Sequence, residues 1–166
     1  MKNATNGGNA PKIHHEKLYN GDIKMYGKEI KKILVSREEI AKRVAELGKQ
    51  ISEDYKGESV TLVCTLRGAS IFFADLVREI EGDVEIDFIA VSSYGAGTKS
   101  IGEVKMIKDL FEPIKDKNVI IVEDIIDTDI TLCYLKKLLL ARAPMTLKVC
   151  SLLDRPSRRQ VDFKGD

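Results

Sequence analysis

Val119-Ile120-Ile121-Val122-Glu123-Asp124-Ile125-Ile126-Asp127-Thr128-Asp129-Ile130-Thr131-Leu132 is the stretch on which the fold turns. Its first four residues are β-branched and continuously apolar, as a strand covered on both faces requires. Three carboxylates follow, Glu123, Asp124 and Asp127, interrupted only by Ile125 and Ile126. Such acids do not belong in a core. In an open α/β sheet the carboxyl ends of the strands face the ligand crevice, and there Glu123 and Asp124 are expected to emerge. Asp127 to Thr131 reads as a turn that opens a helix, so its backbone amides and the hydroxyls of Thr128 and Thr131 can converge on a phosphate. Paired carboxylates accept hydrogen bonds from sugar hydroxyls or hold a hydrated Mg²⁺, and a neighbouring carboxylate moves a proton on a base. Together these describe a sugar phosphate site. Solvated acids attracted to a helix start would look the same in sequence, and residue chemistry alone leaves both readings open.

Working outward, strands and helices alternate. Ser36-Arg37-Glu38-Glu39 has the form of a capping box, and Ile40, Val44, Leu47 and Ile51 follow at helical spacing, predicting a helix from Ser36 to Asp54. Val60 to Leu66 reads as a buried strand ended by Arg67-Gly68, and Ala69 to Ile80 as a helix closed by Gly82. Val84 to Val91 predicts a second strand, Ser92 to Gly102 a mobile loop, and Glu103 to Lys108 the returning arm of a hairpin. Beyond the Val119 strand, Leu132, Leu135 and Leu139 share one face of a helix near Thr131 to Arg142 that Pro144 stops, and Leu147, Val149 and Leu152 mark a last strand. This alternation predicts an α/β fold with a twisted, mostly parallel sheet flanked by helices. Met1 to Asn20 has little apolar periodicity and is expected to be a mobile tail, leaving 21–166 as one domain. His14 and His15, adjacent on that tail, cannot easily converge on one metal.

Composition narrows the function classes. Lys plus Arg at 27 against Asp plus Glu at 26 leaves a net charge of +1, so no basic excess suggests wrapping nucleic acid and any phosphate binding must be local. The apolar runs are a few residues long where a membrane span needs about 20, so no bilayer crossing is expected. Cys64, Cys133 and Cys150 cannot all pair with one another, which fits a reducing cytoplasm, and their apolar neighbours make them core thiols. No G-x-x-x-x-G-K-[ST] loop occurs, against kinase-type chemistry.

The stretch VEDIIDT followed by ITL resembles the signature of type I phosphoribosyltransferases, in their hypoxanthine-guanine branch. Leu66 to Arg78 is similar to that family's pyrophosphate-loop strand and helix, Val91 to Val104 to its flexible active-site loop, and Ser151 to Arg159 to its purine-side segment. The four segments occur in the family's order and span the chain from about Ile30 onward. The resemblance implies the type I phosphoribosyltransferase fold and transfer of ribose 5-phosphate from phosphoribosyl pyrophosphate to a purine base, with Mg²⁺. Asp127 would exchange a proton with the base, Glu123 and Asp124 would hold the ribose hydroxyls and, mostly through them or through water, the metal. Thr128, Asp129, Ile130 and Thr131 would grip the 5-phosphate. Arg67 and Gly68 match a loop whose amides bind pyrophosphate and whose peptide can be cis, and Arg159 would add charge beside the same leaving group. Ser93 and Tyr94 match the loop that closes over the reacting centre and excludes water. A homodimer or homotetramer is implied as well.

The chain departs from the family at three points. Asp129 stands where the phosphate turn normally has glycine. A carboxylate about 5 Å from a phosphate, at an effective dielectric of about 20, repels it by roughly 3 kcal/mol per unit charge. Arg155 stands where a lysine usually donates to the exocyclic oxygen of the base, and its rigid fork does not superpose on a point charge. The sequence also ends at Lys164-Gly165-Asp166, where the family continues with a purine-stacking aromatic, an acid near magnesium and a basic residue, so the domain is expected to be C-terminally short. These departures keep a weakly active or non-catalytic nucleotide binder open as an alternative. An RNA-binding regulator of pyrimidine genes is a third, which the purine-type segments and near-neutral charge disfavour.

Overall fold

The computed structural model describes residues 32–94, 103–127 and 130–158. The chain divides into two units, residues 1–36 and 37–166, and the second holds all the regular elements described. In chain order these are α1 (Arg37–Asp54), β1 (Ser59–Leu66), α2 (Ser70–Arg78), β2 (Asp83–Tyr94), β3 (Glu103–Lys108), β4 (Asn118–Ile126), α3 (Ile130–Leu140), β5 (Thr146–Asp154) and a 3₁₀ turn (Pro156–Arg158). The tail expected at 1–20 lies outside the described residues.

The strands form one sheet in the order β3-β2-β1-β4-β5. β1 runs parallel to both β2 and β4, β4 parallel to β5, and β3 returns antiparallel along β2. The expected α/β architecture is therefore present, with its hairpin at one edge.

Period-2 alternation builds the two cores. Val60, Leu62 and Cys64 of β1, with Ile120 and Val122 of β4, pack against Val44, Leu47 and Ile51 of α1 and Phe72, Phe73 and Leu76 of α2. The opposite row, Val63, Val119 and Ile121, packs with Ile89 and Ile114 against Leu132, Leu135 and Leu139 of α3. Each fully buried aliphatic or Phe side chain contributes about 1.5 to 3 kcal/mol relative to exposure, so these rows specify the register of the central strands. Cys64 and Cys150 are buried free thiols, and burial first of all pushes both up to about 11.

The amino ends of the strands are tied by polar side chains. Asn118, 4% exposed, donates its Nδ2 to Glu58 Oε2 at 2.8 Å and accepts the Thr146 hydroxyl at 2.8 Å. Glu85 accepts from Lys117 Nζ at 2.5 Å and from the Thr61 hydroxyl at 3.2 Å. The Lys117 bond lowers the Glu85 pKa.

Three element ends differ from the sequence reading. β4 continues through Glu123 and Asp124 to Ile126, because β5 supplies partners for Glu123, Ile125 and Ile126 in Ser151, Leu153 and Asp154. β2 extends to Tyr94, since Ser92, Ser93 and Tyr94 pair with Lys105, Val104 and Glu103; the rest of the segment expected to be a loop lies outside the described residues. α2 stops at Arg78, where the Glu79 amide donates to the Leu76 carbonyl at 3.0 Å and the Ile80 amide to that of Val77 at 3.4 Å.

Where α1 crosses the end of α2, Gly48 sits flush against Glu79. A Cβ there would lie 2.5 Å from Glu79 Cβ and 2.8 Å from its backbone carbonyl carbon. Gly48→Ala is expected to lower the unfolding free energy by about 1 to 3 kcal/mol despite alanine's better helix propensity, measured by urea denaturation.

Candidate functional site

Strand order reverses between β1 and β4. From β1 the chain passes through α2 to β2 on one side, and from β4 through α3 to β5 on the other. The two connecting helices cover opposite faces of the sheet. Between the carboxyl ends of β1 and β4 this leaves a gap, which is where open α/β sheets bind ligands. A crevice of about 220 Å³ lies there, lined by Thr65, Leu66, Gly68, Val91, Glu123, Ile125, Ile126, Asp127, Thr131 and Leu132.

The two neighbouring acids of β4 go separate ways. Glu123 continues the row of Val119 and Ile121, and Asp124 that of Ile120 and Val122. The Asp124 carboxylate lies against Gly68: a Cβ at Gly68 would stand 2.7 Å from Oδ2 and 3.1 Å from Oδ1. Asp124 Oδ1 also accepts the Ile125 amide at 2.9 Å. Glycine is therefore required at 68 if the acid is to keep its place. The Leu66–Arg67 peptide just before it is cis, as the resemblance allowed.

Glu123 faces the crevice beside Thr65. Burial pushes its carboxyl up to about 7; the Thr65 hydroxyl partly reverses the rise and the negative charge of Asp124 adds to it. Thr65 is 7% exposed, and its Oγ1 is buried without a partner in hydrogen-bond geometry. Asp127 directly follows β4 and is half-buried, and Thr131 stands in the first turn of α3.

Of the expected residues, Gly68, Glu123, Asp127 and Thr131 share one crevice, with Asp124 packed behind Gly68. Arg67 is exposed and Ile130 half-buried at the start of α3, and neither lines the crevice. Arg155 is exposed, its backbone amide donating to the Ile126 carbonyl at 2.9 Å and so tying the exit of β5 to the end of β4. Ser93 and Tyr94 are strand residues at the end of β2, with side chains outside the described set, and Thr128, Asp129 and Arg159 lie outside the described residues altogether. Sequence reasoning missed Thr65 and Val91. For Thr65 the available signal was a hydroxyl next to the end of a largely apolar run.

Among the described residues no group of three His, Cys, Asp or Glu is placed to hold a metal ion. A magnesium ion keeps several waters and needs only one or two carboxylates beside substrate oxygens, so Glu123 and Asp124 suffice as donors of that kind. No helix among the described residues is long and apolar enough to cross a membrane.

Residues 32–166 match the family model described as phosphoribosyl transferase domain. A hypoxanthine-guanine phosphoribosyltransferase of Streptococcus thermophilus is 46% identical over 86% of this chain and 79% of its own length. A hypoxanthine phosphoribosyltransferase of Escherichia coli is 48% identical over 78% of this chain and 74% of its own. The crystal structure of a hypoxanthine phosphoribosyltransferase from Staphylococcus aureus superposes with a TM-score of 0.80 at 40% identity, covering 85% of this chain and 77% of that one.

The buried acid makes stability depend on pH. With its folded pKa raised to about 7, Glu123 holds its proton in the native state across a range where the unfolded chain has released it, so ionisation favours unfolding as pH rises from about 4.5 to about 7. Glu123→Gln removes this term. In urea titrations the variant should match the parent near pH 4.5 and exceed it by about 2 to 3 kcal/mol at pH 7.5.

Proposed function

Because this chain belongs to the phosphoribosyltransferase family, in its hypoxanthine-guanine branch, we propose that the crevice at the ends of β1 and β4 is where it performs the family's reaction. The protein is a purine salvage enzyme that transfers ribose 5-phosphate from phosphoribosyl pyrophosphate to hypoxanthine or guanine. The observation that carries the site is the convergence of Gly68, Glu123, Asp127 and Thr131 on one crevice at the point where strand order reverses.

In this reading the N9 lone pair of the purine attacks C1 of the ribose while the bond to pyrophosphate breaks, its electron pair leaving with the pyrophosphate. The proton on N7 passes to the Asp127 carboxylate. The turn from Asp127 to Thr131 holds the 5-phosphate with backbone amides and the hydroxyls of Thr128 and Thr131, at the amino end of α3. Glu123 accepts hydrogen bonds from ribose hydroxyls at the crevice wall, and Asp124 reaches the ribose side past Gly68. Placing the two acids on opposite faces lets them bracket a sugar. The amides of Arg67 and Gly68, with the charge of Arg159, receive the pyrophosphate. Glu123 and Asp124 would hold Mg²⁺, mostly through water or ribose hydroxyls, and the ion would supply positive charge to the leaving pyrophosphate. Ser93 and Tyr94 close over the centre, excluding water that would otherwise capture a cationic ribose. Arg155 donates to the exocyclic oxygen of the base. The enzyme works in the cytoplasm as a homodimer or homotetramer; the free cysteines suit that compartment.

Purified protein with Mg²⁺, phosphoribosyl pyrophosphate and hypoxanthine is expected to form IMP, followed by the absorbance change of the base. Asp127→Asn should lower kcat at least about 100-fold while changing donor KM by no more than about threefold; equal losses in both would remove its proton-transfer role. Asp129→Gly should tighten donor binding about tenfold by removing a carboxylate beside the phosphate, and an unchanged or poorer affinity would refute the repulsion.

A further inference from the structure

We propose that Thr65 is a positioning residue, whose hydroxyl fixes the Glu123 carboxylate at the crevice wall in the orientation that receives the ribose. The inference deepens the site reading above and rests on it. Thr65 is the last residue but one of β1 and directly follows Cys64, which is registered with Val122 of β4, so it stands level with Glu123 on the adjoining strand. Both side chains line the same crevice. Thr65 belongs to the row of Val63, the row that Glu123 also continues.

The hydroxyl is costly unless it is used. At 7% exposure, Thr65 Oγ1 has no partner in hydrogen-bond geometry, although its nearness lowers the proton affinity of Glu123. Thr61, the other threonine of β1, donates its hydroxyl to Glu85 and is accounted for. Valine has nearly the same shape and would continue the row of Val63 without a desolvated hydroxyl. A small rotation of the carboxylate toward Thr65 completes a hydrogen bond to its charged form, leaving the second oxygen for a sugar hydroxyl. Ligand binding would supply the reason for that rotation.

The test compares the full chain with Thr65→Val and Thr65→Ser. Calorimetric binding of phosphoribosyl pyrophosphate with Mg²⁺ and steady-state transfer to hypoxanthine are measured side by side, together with melting temperature. Thr65→Val should weaken donor binding and raise donor KM about tenfold, with kcat and KM for the base within about twofold, and should melt no lower than the parent. Thr65→Ser should restore donor binding to within about threefold. Donor binding by Thr65→Val equal to the parent, or a loss in Thr65→Ser as large as in Thr65→Val, overturns the proposal. A parent that binds the donor but transfers nothing would count against the catalytic reading alone, and the binding pattern of the two variants would still decide the role of Thr65.

Discussion

The parallel pairing of β1 with β4 is the constraint on which the rest depends. Five registered pairs, from Val60 with Asn118 to Cys64 with Val122, align the two strands so that the end of β1 at Leu66 comes level with Asp124, two residues before β4 ends. Beyond that level the chain leaves in two directions, α2 over one face and α3 over the other. Because of this register Gly68, just past β1, and Glu123 and Asp127, at the end of β4 and just past it, border a common space. The apolar rows beneath them make that level hard to shift, since a slip of one residue would turn every buried side chain of a strand to the wrong face.

Acids at the edge of such a core sit between two media, and their behaviour divides accordingly. Glu123, lined up with the α3 face, is desolvated enough to hold its proton near neutrality, whereas Asp124 is accommodated by the missing side chain of Gly68. A sequence read one residue at a time treats the pair as equivalent. Alternation along the strand and a contact spanning more than fifty positions make them different.

Much of the architecture was legible because local and tertiary preferences agree. VIIV and the run from Val60 to Leu66 read as doubly covered strands and are so. The helical faces of Val44, Leu47 and Ile51, and of Leu132, Leu135 and Leu139, are the buried faces observed. The errors fall where pairing overrides propensity. Glu123 and Asp124 are poor strand formers that β5 keeps in the sheet, and Ser92 to Tyr94 look like loop until β3 supplies their partners. The acids, glycine and threonine of the crevice carried a chemical signature in sequence. Thr65 carried only a hydroxyl near the end of a largely apolar run, which acquires meaning only from what stands on the neighbouring strand.

The side-chain ties around Asn118 and Glu85 make the two ends of the sheet unequal. At the amino ends β2, β1, β4 and β5 are each tied to a neighbour by side chains, while at the opposite rim Arg67 and Gly68 stand exposed. Breathing motions of the sheet are therefore hinged at the clamped margin, and amide exchange should quicken along β1 and β4 toward the open one. Adjustment to an incoming molecule can then take place at the rim while the frame beneath stays still.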